Sequence, residues 1–165
     1  MRTADLSKPL ARLFSELADG ANSGGTAFML NSGDIGLLRS LDRLSAAEAS
    51  ASVNEGATIA AHARHVSYGL SLMNRWMREG GNPFADARWD DAWKTTRVTD
   101  AEWDGIRRDL AAESHAWCRA LGEDREVSAT EMTGMISSIA HLAYHLGAIR
   151  QIDKGARGPR EGTFA

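Results

Sequence analysis

The sequence predicts an all-α protein, an antiparallel four-helix bundle with a short extra helix and long crossover loops. That expectation rests on three features. Only 3 prolines are spread through 165 residues. Apolar residues recur at steps of three and four in four long segments, and no run alternates β-branched with polar residues as a half-buried strand would. Two of the four segments open on Ser/Thr-x-x-Glu, a pattern that caps a helix start reciprocally. Four helices with one apolar stripe each bury those stripes most economically against one another.

The first segment, Ala4 to Ala18, places Leu6, Leu10, Leu13, Phe14 and Leu17 on one face, with Gly20 behind it as a stop. Ala21 to Gly33 is rich in Gly, Asn and Ser, and Phe28, Met29 and Leu30 within it suggest a loop pinned to the core. Asp34 to Leu44 repeats Ile35, Leu38 and Leu41, enough for a short amphipathic helix across one end of the bundle. The second long helix, about Ala57 to Arg78, sets Ile59, Ala63, Val66, Leu70, Met73 and Met77 in a heptad-like seam.

Gly80 to Val98 breaks the periodicity and supplies Phe84, Trp89 and Trp93 among Asp and Arg residues. A long aromatic loop of this kind serves as a lid over a site, or anchors a crossover or a dimer contact. Thr99 to Glu102 caps a third long helix with Trp103, Ile106, Leu110, Trp117 and Leu121 inside, and Ser128 to Glu131 caps a fourth that ends near Asp153 to Gly155. Residues 1–155 read as one domain and 156–165 as a flexible, Gly-rich tail.

With 19 Lys plus Arg against 22 Asp plus Glu, the formal charge is -3. No basic stripe is present to track phosphates, so nucleic acid is not an expected partner. The single Cys118 excludes an intrachain disulfide framework. With no secretory pattern near the N-terminus, a cytoplasmic protein is expected. Cys118, beside Trp117, reads as an inert small hydrophobe.

Chemistry concentrates in the five histidines, His62, His65, His115, His141 and His145. His141 and His145 lie in Met132 to Ile149, a stretch without Asp, Glu, Lys or Arg. It approaches the ~18-residue length of a membrane span, but its Thr133, Ser137, Ser138 and two imidazoles indicate a buried helix of a soluble protein. A spacing of four puts both rings on one side at ligand distance. Small neighbours, Gly134, Ser138 and Ala148, leave room beside them, and Gly69 does the same one turn beyond His65. Three imidazoles from two packed helices supply three corners of a tetrahedral metal site and leave the fourth open. Periodicity does not choose between His62 and His65 as the third ligand. His115 stands apart and reads as structural or solvent-facing.

Thr58-Ile59-Ala60-Ala61-His62-Ala63-Arg64-His65-Val66, followed far downstream by His141-Leu142-Ala143-Tyr144-His145-Leu146-Gly147-Ala148-Ile149, resembles the DinB-like (DinB/YfiT) superfamily. The resemblance runs from about Gly33 to Asp153, and the second motif is close to the family pattern HxxxHxGxI. It implies a four-helix bundle holding a divalent metal through one histidine of the second helix and two of the last, here His65, His141 and His145. His65 is implied over His62 because the family histidine is followed by Ile or Val; His62 then becomes a pocket residue. The metal is Zn, Ni, Fe or Mn. Family members of known activity use low-molecular-weight thiols, so the resemblance implies activation of a thiol, or of water, for transfer to a small electrophile. The runner-up is a non-catalytic, metal-stabilised binding or stress-response module, and a homodimer is compatible with either. The chain departs from the family at Ala148, where Gln is common, and has no Arg cluster to identify a particular thiol.

Overall fold

The computed structural model describes residues 2–21 and 26–159. Among them are seven α-helices and no strand beyond an isolated bridge between Arg2 and Glu126. The helices are α1 (Ser7–Asp19), α2 (Gly36–Leu41), α3 (Ala46–Ala49), α4 (Ile59–Glu79), α5 (Trp89–Trp93), α6 (Asp100–Gly122) and α7 (Ala129–Ile152). The four expected long helices are α1, α4, α6 and α7. None is long and apolar enough to cross a membrane.

Side-chain caps set the starts. The Thr58 hydroxyl accepts from the Ala61 N–H at 3.1 Å, and both expected capping boxes, Thr99 with Glu102 and Ser128 with Glu131, are formed. A third box, Ser45 with Glu48, opens α3; its signature stands in the sequence, but one helical turn leaves too little periodicity to mark it. The stop at Gly20 is realised with φ +104, where a Cβ would come within 2.4 Å of the Asp34 carbonyl.

All four long helices contribute to one core. Phe14, Leu37, Ile59, Leu110, Trp117, Met135 and Ile149 are fully buried in it. The two buried indoles are satisfied as burial requires: Trp103 Nε1 donates to the Leu44 carbonyl and Trp117 Nε1 to Ser138 Oγ, each at 2.8 Å.

Helix directions are mixed. His62 meets His145 while Trp76 lies against Gly134, so α4 and α7 run oppositely. α1 and α6 also oppose each other, since Ala11 faces Gly122 and Asp19 faces His115. α4 and α6, however, run the same way: Thr58 Oγ1 donates to the Thr95 carbonyl just ahead of α6, and Asn74 donates to the Glu113 carbonyl two-thirds of the way along both. The expectation of an antiparallel bundle therefore fails for this pair. A connection between parallel helices must travel back the full length of the first, about 30 Å for the 21 residues of α4. Residues 80–98 make that return as a strap. Phe84 lies against Trp76, Trp89 against Tyr68, and Trp93 against His65 and His62, in falling order along α4.

The loop after α1 is anchored differently from expectation. Phe28 and Met29 are 60% and 43% exposed; the anchor is the Glu16 carboxylate, which accepts from the N–H groups of Phe28, Met29 and Leu30. At the other terminus Lys154–Ala156 forms a 3-10 turn whose Ala156 is fully buried, and Arg150 Nε donates to its carbonyl. The remainder of the expected tail, 160–165, lies outside the described residues.

Candidate metal centre

Four histidines meet between α4 and α7 near the N-terminal half of α4. His62 and His65 stand one turn apart on one helix, His141 and His145 on the other, and the opposite helix directions bring the two pairs face to face. His65 Nε2 and His141 Nε2 are 3.3 Å apart, and His145 Nε2 and His141 Nε2 are 3.0 Å apart. The ligand nitrogens of His65, His141 and His145 all lie within 4.8 Å of one another. Tetrahedral coordination with bonds of 2.0–2.1 Å requires nitrogens roughly 3.3 Å apart, so the spacing of these rings suits a single ion. The three residues named from sequence are positioned to hold a metal.

His62 takes a different place. Its Nδ1 lies 2.9 Å from Nδ1 of His145, on the side of that ring away from the other two ligands. With His145 Nδ1 as donor and His62 Nδ1 as acceptor, His145 Nε2 keeps a free lone pair directed at the cluster. This is the orienting bond that ligand histidines commonly make through their second nitrogen. His65 has no such support: its Nδ1 is buried without a partner, and its ring is held by stacking on Trp93 at a centroid distance of 4.4 Å.

The electrostatics favour neutral rings. Burial, followed by repulsion from His141 and His62, pushes His65 down to about 4 from the usual 6.5. His145, only 1% exposed, is pushed to about 3 by burial and then by the other three histidines. Burial lowers His62 and His141 as well. Every charge acting on His65 and His145 is that of another histidine, with no carboxylate to compensate. Near neutral pH the cluster thus presents uncharged nitrogens to one another, the form a metal requires.

A cavity of about 750 Å³ opens from this cluster, with His65 and His141 in its wall. It extends between α4 and α7 beneath the strap, past Gly69, Leu70 and Met73 on one side and Ser137 and Gly134 on the other, to Trp76, Phe84 and Thr130. The room foreseen beside Gly69 and Gly134 belongs to it. Phe84 and Trp89 come from the aromatic loop read as a lid, whereas Trp76 and Thr130 were not distinguishable as site residues in sequence, because their only signal is position along helices whose relative direction the sequence does not reveal.

The remaining candidates lie elsewhere. His115 is half-exposed and 3.0 Å from Asp19, a surface pair. The Cys118 thiol is raised by burial and donates to the Ala11 carbonyl at 3.5 Å, consistent with an inert role. The Tyr68 hydroxyl accepts from the Arg88 N–H and so ties the strap to α4, while Tyr144 is 66% exposed with its ring edge-on to His145. Asp86 and Asp91 sit in exposed ion pairs with Arg75 and with Arg88 and Lys94. No family model, curated protein or solved structure matches this chain.

Proposed function

We propose that the chain is a DinB-like, metal-dependent enzyme in which His65, His141 and His145 hold one divalent cation, Zn, Ni, Fe or Mn. In this reading it activates a low-molecular-weight thiol or water for transfer to a small electrophilic molecule. The observation that carries the reading is the convergence of three uncharged imidazoles, two of which line one end of a large apolar cavity. The helix bundle, with one ligand from the second long helix and two from the last, agrees with the family that the sequence resembles. A cytoplasmic setting belongs to the same reading and rests on the lone Cys118.

A cation held there supplies Lewis acidity, which lowers the pKa of a thiol or water beside it. The protein's own residues do the rest. His62 orients His145. Trp93 covers the face of His65 and keeps water from it. His141, exposed at the edge of the cluster, leaves an approach for the thiol, and the cavity receives the electrophile.

The test is metal analysis of protein purified without a histidine tag. Wild type is expected to carry about one equivalent and His145→Ala less than about 0.1. Substoichiometric metal unchanged by that substitution overturns the reading. Chelation then separates its two forms: retained fold with lost thiol transfer indicates catalysis, whereas unfolding on chelation indicates the non-catalytic, metal-stabilised module. A homodimer is a second element of the proposal, favoured by Ile136 and Tyr144, which are 53% and 66% exposed on the charge-free face of α7. Light scattering tests it.

A further inference from the structure

The cavity beside the histidines has a chemical character of its own. Apart from His65 and His141, no ionisable residue lines it among the described residues. A charged group placed deep inside would lose its hydration without gaining a counter-ion, which is strongly unfavourable. The walls are aromatic and apolar, with Trp76, Phe84, Trp89 and Met73 among them.

One of its walls depends on a glycine. A Cβ at Gly134 would stand 2.8 Å from the Trp76 ring, so glycine there lets that indole lie against α7. On the opposite side the Trp89 ring lies near Gly69, where a Cβ would make only ordinary contact at 3.7 Å. Aromatic rings thus line the cavity on both sides. From His141 to Thr130 the cavity follows α7 for eleven positions, about 16 Å at the helical rise. The result is a long slot walled by aromatic rings, with His65 and His141 at one end. Polar contacts within it are neutral: the Thr130 and Ser137 hydroxyls line it and make no hydrogen bond among the described residues.

We infer that the slot binds an uncharged, elongated, aromatic small molecule, with its reactive end at His65 and His141 and its length lying toward Trp76 and Thr130. Its role as substrate rests on the metal-dependent reading above; its binding does not. Ionic portions of a thiol co-substrate stay outside the slot, at the exposed edge of His141.

A matched pair of fluorescent probes tests this: 1-anilinonaphthalene, which is neutral, and 8-anilinonaphthalene-1-sulfonate, which carries the same rings and one negative charge. With metal-stripped protein, the neutral probe is expected to bind one-to-one and at least about tenfold more tightly than the sulfonate. Ser137→Trp, at an exposed position in the middle of the slot, is expected to abolish binding. Thr130→Trp, which fills the far end, should weaken it, with circular dichroism melts showing both variants folded. Reloading metal should change the affinity for the neutral probe by less than about twofold, since the contacts are not to the ion. Equal or tighter binding of the sulfonate, or binding unaffected by either folded variant, overturns the inference. Wild-type protein that takes up no metal yet binds the neutral probe would remove the metal-dependent reading and leave the slot; wild-type protein that takes up metal but does not bind the probe would do the reverse.

Discussion

Two groups of buried ionisable side chains in this bundle are built in opposite ways. Where α1 meets α2, every charge has partners. Burial pushes the Glu16 carboxyl up, but the three backbone N–H donors more than reverse this and hold it below the usual value. Asp34, whose side chain is 2% exposed, accepts from the Gly36 N–H at 2.9 Å and from Arg150 at 2.7 Å. Between α4 and α7, by contrast, the ring nitrogens of the histidines meet only those of other histidines, and the buried Nδ1 of His65 has no hydrogen-bond partner. Satisfied groups of the first kind fix a corner of the fold. In the second kind, apart from the His62–His145 bond, the ring nitrogens have only one another as polar partners, an arrangement with room for an ion among them.

The widest separation between the two regions is expected from pH. In metal-free protein the unfolded chain takes up protons at the ordinary histidine value of 6.5, while folded His65 and His145 resist until about 4 and 3. Stability therefore falls as pH drops below 6.5, at up to about 1.4 kcal/mol per pH unit for each ring. Glu16 acts in the same direction but in a lower window: its stabilisation is present above its ordinary value of 4.5 and is lost only below it. Urea midpoints from pH 7.5 to 4.5 should thus decline in wild type and flatten in a His65→Ala, His145→Ala double variant. An unchanged slope in that variant would place the acid sensitivity elsewhere.

At fixed neutral pH the order reverses. Asp34→Ala leaves Arg150, 16% exposed at its side chain, without its carboxylate and is expected to cost about 3 kcal/mol in urea unfolding, with metal content intact. Gly36→Ala forces a side chain into φ +72 and within 2.4 Å of the Gly20 nitrogen, for about 2–3 kcal/mol. Glu16→Gln, which keeps one acceptor oxygen but loses the charge, should cost about 1 kcal/mol. His141→Ala stands last: its exposed ring meets only the other histidines, and its removal should change metal-free stability by less than about 0.5 kcal/mol. The same variant should lose nearly all bound metal. A large stability loss in His141→Ala would erase the contrast.

Much of the fold was legible because the caps and stripes are local. Thr99 and Ser128 mark two long helices to within a residue or two, and the inner stripes of α6 and α7 are buried as their spacing demands. The spacing of four between His141 and His145 carried the site for the same reason. What was not legible is non-local. The direction of α6 relative to α4 depends on the route of the strap, and composition does not encode a route. The Glu16 anchor was missed because one carboxylate gathers three consecutive N–H groups, which leaves no mark in hydrophobic patterning. The charge-free run of α7 misled in a different way: it suggested burial all round, yet Ile136 and Tyr144 face outward, because absence of charge constrains a surface far less than presence of apolar periodicity constrains a core.

The parallel course of α4 and α6 also bears on how the chain reaches its final form. Adjacent helices in opposite directions can pair as soon as both exist, whereas these two must wait for the strap to double back, a non-local closure that slows assembly. The facing histidine pairs are 83 and 76 residues apart in sequence, and half of each pair is on the last helix to emerge. The centre therefore forms only once α7 has docked, so any ion it holds would report the end of folding and could not template its beginning.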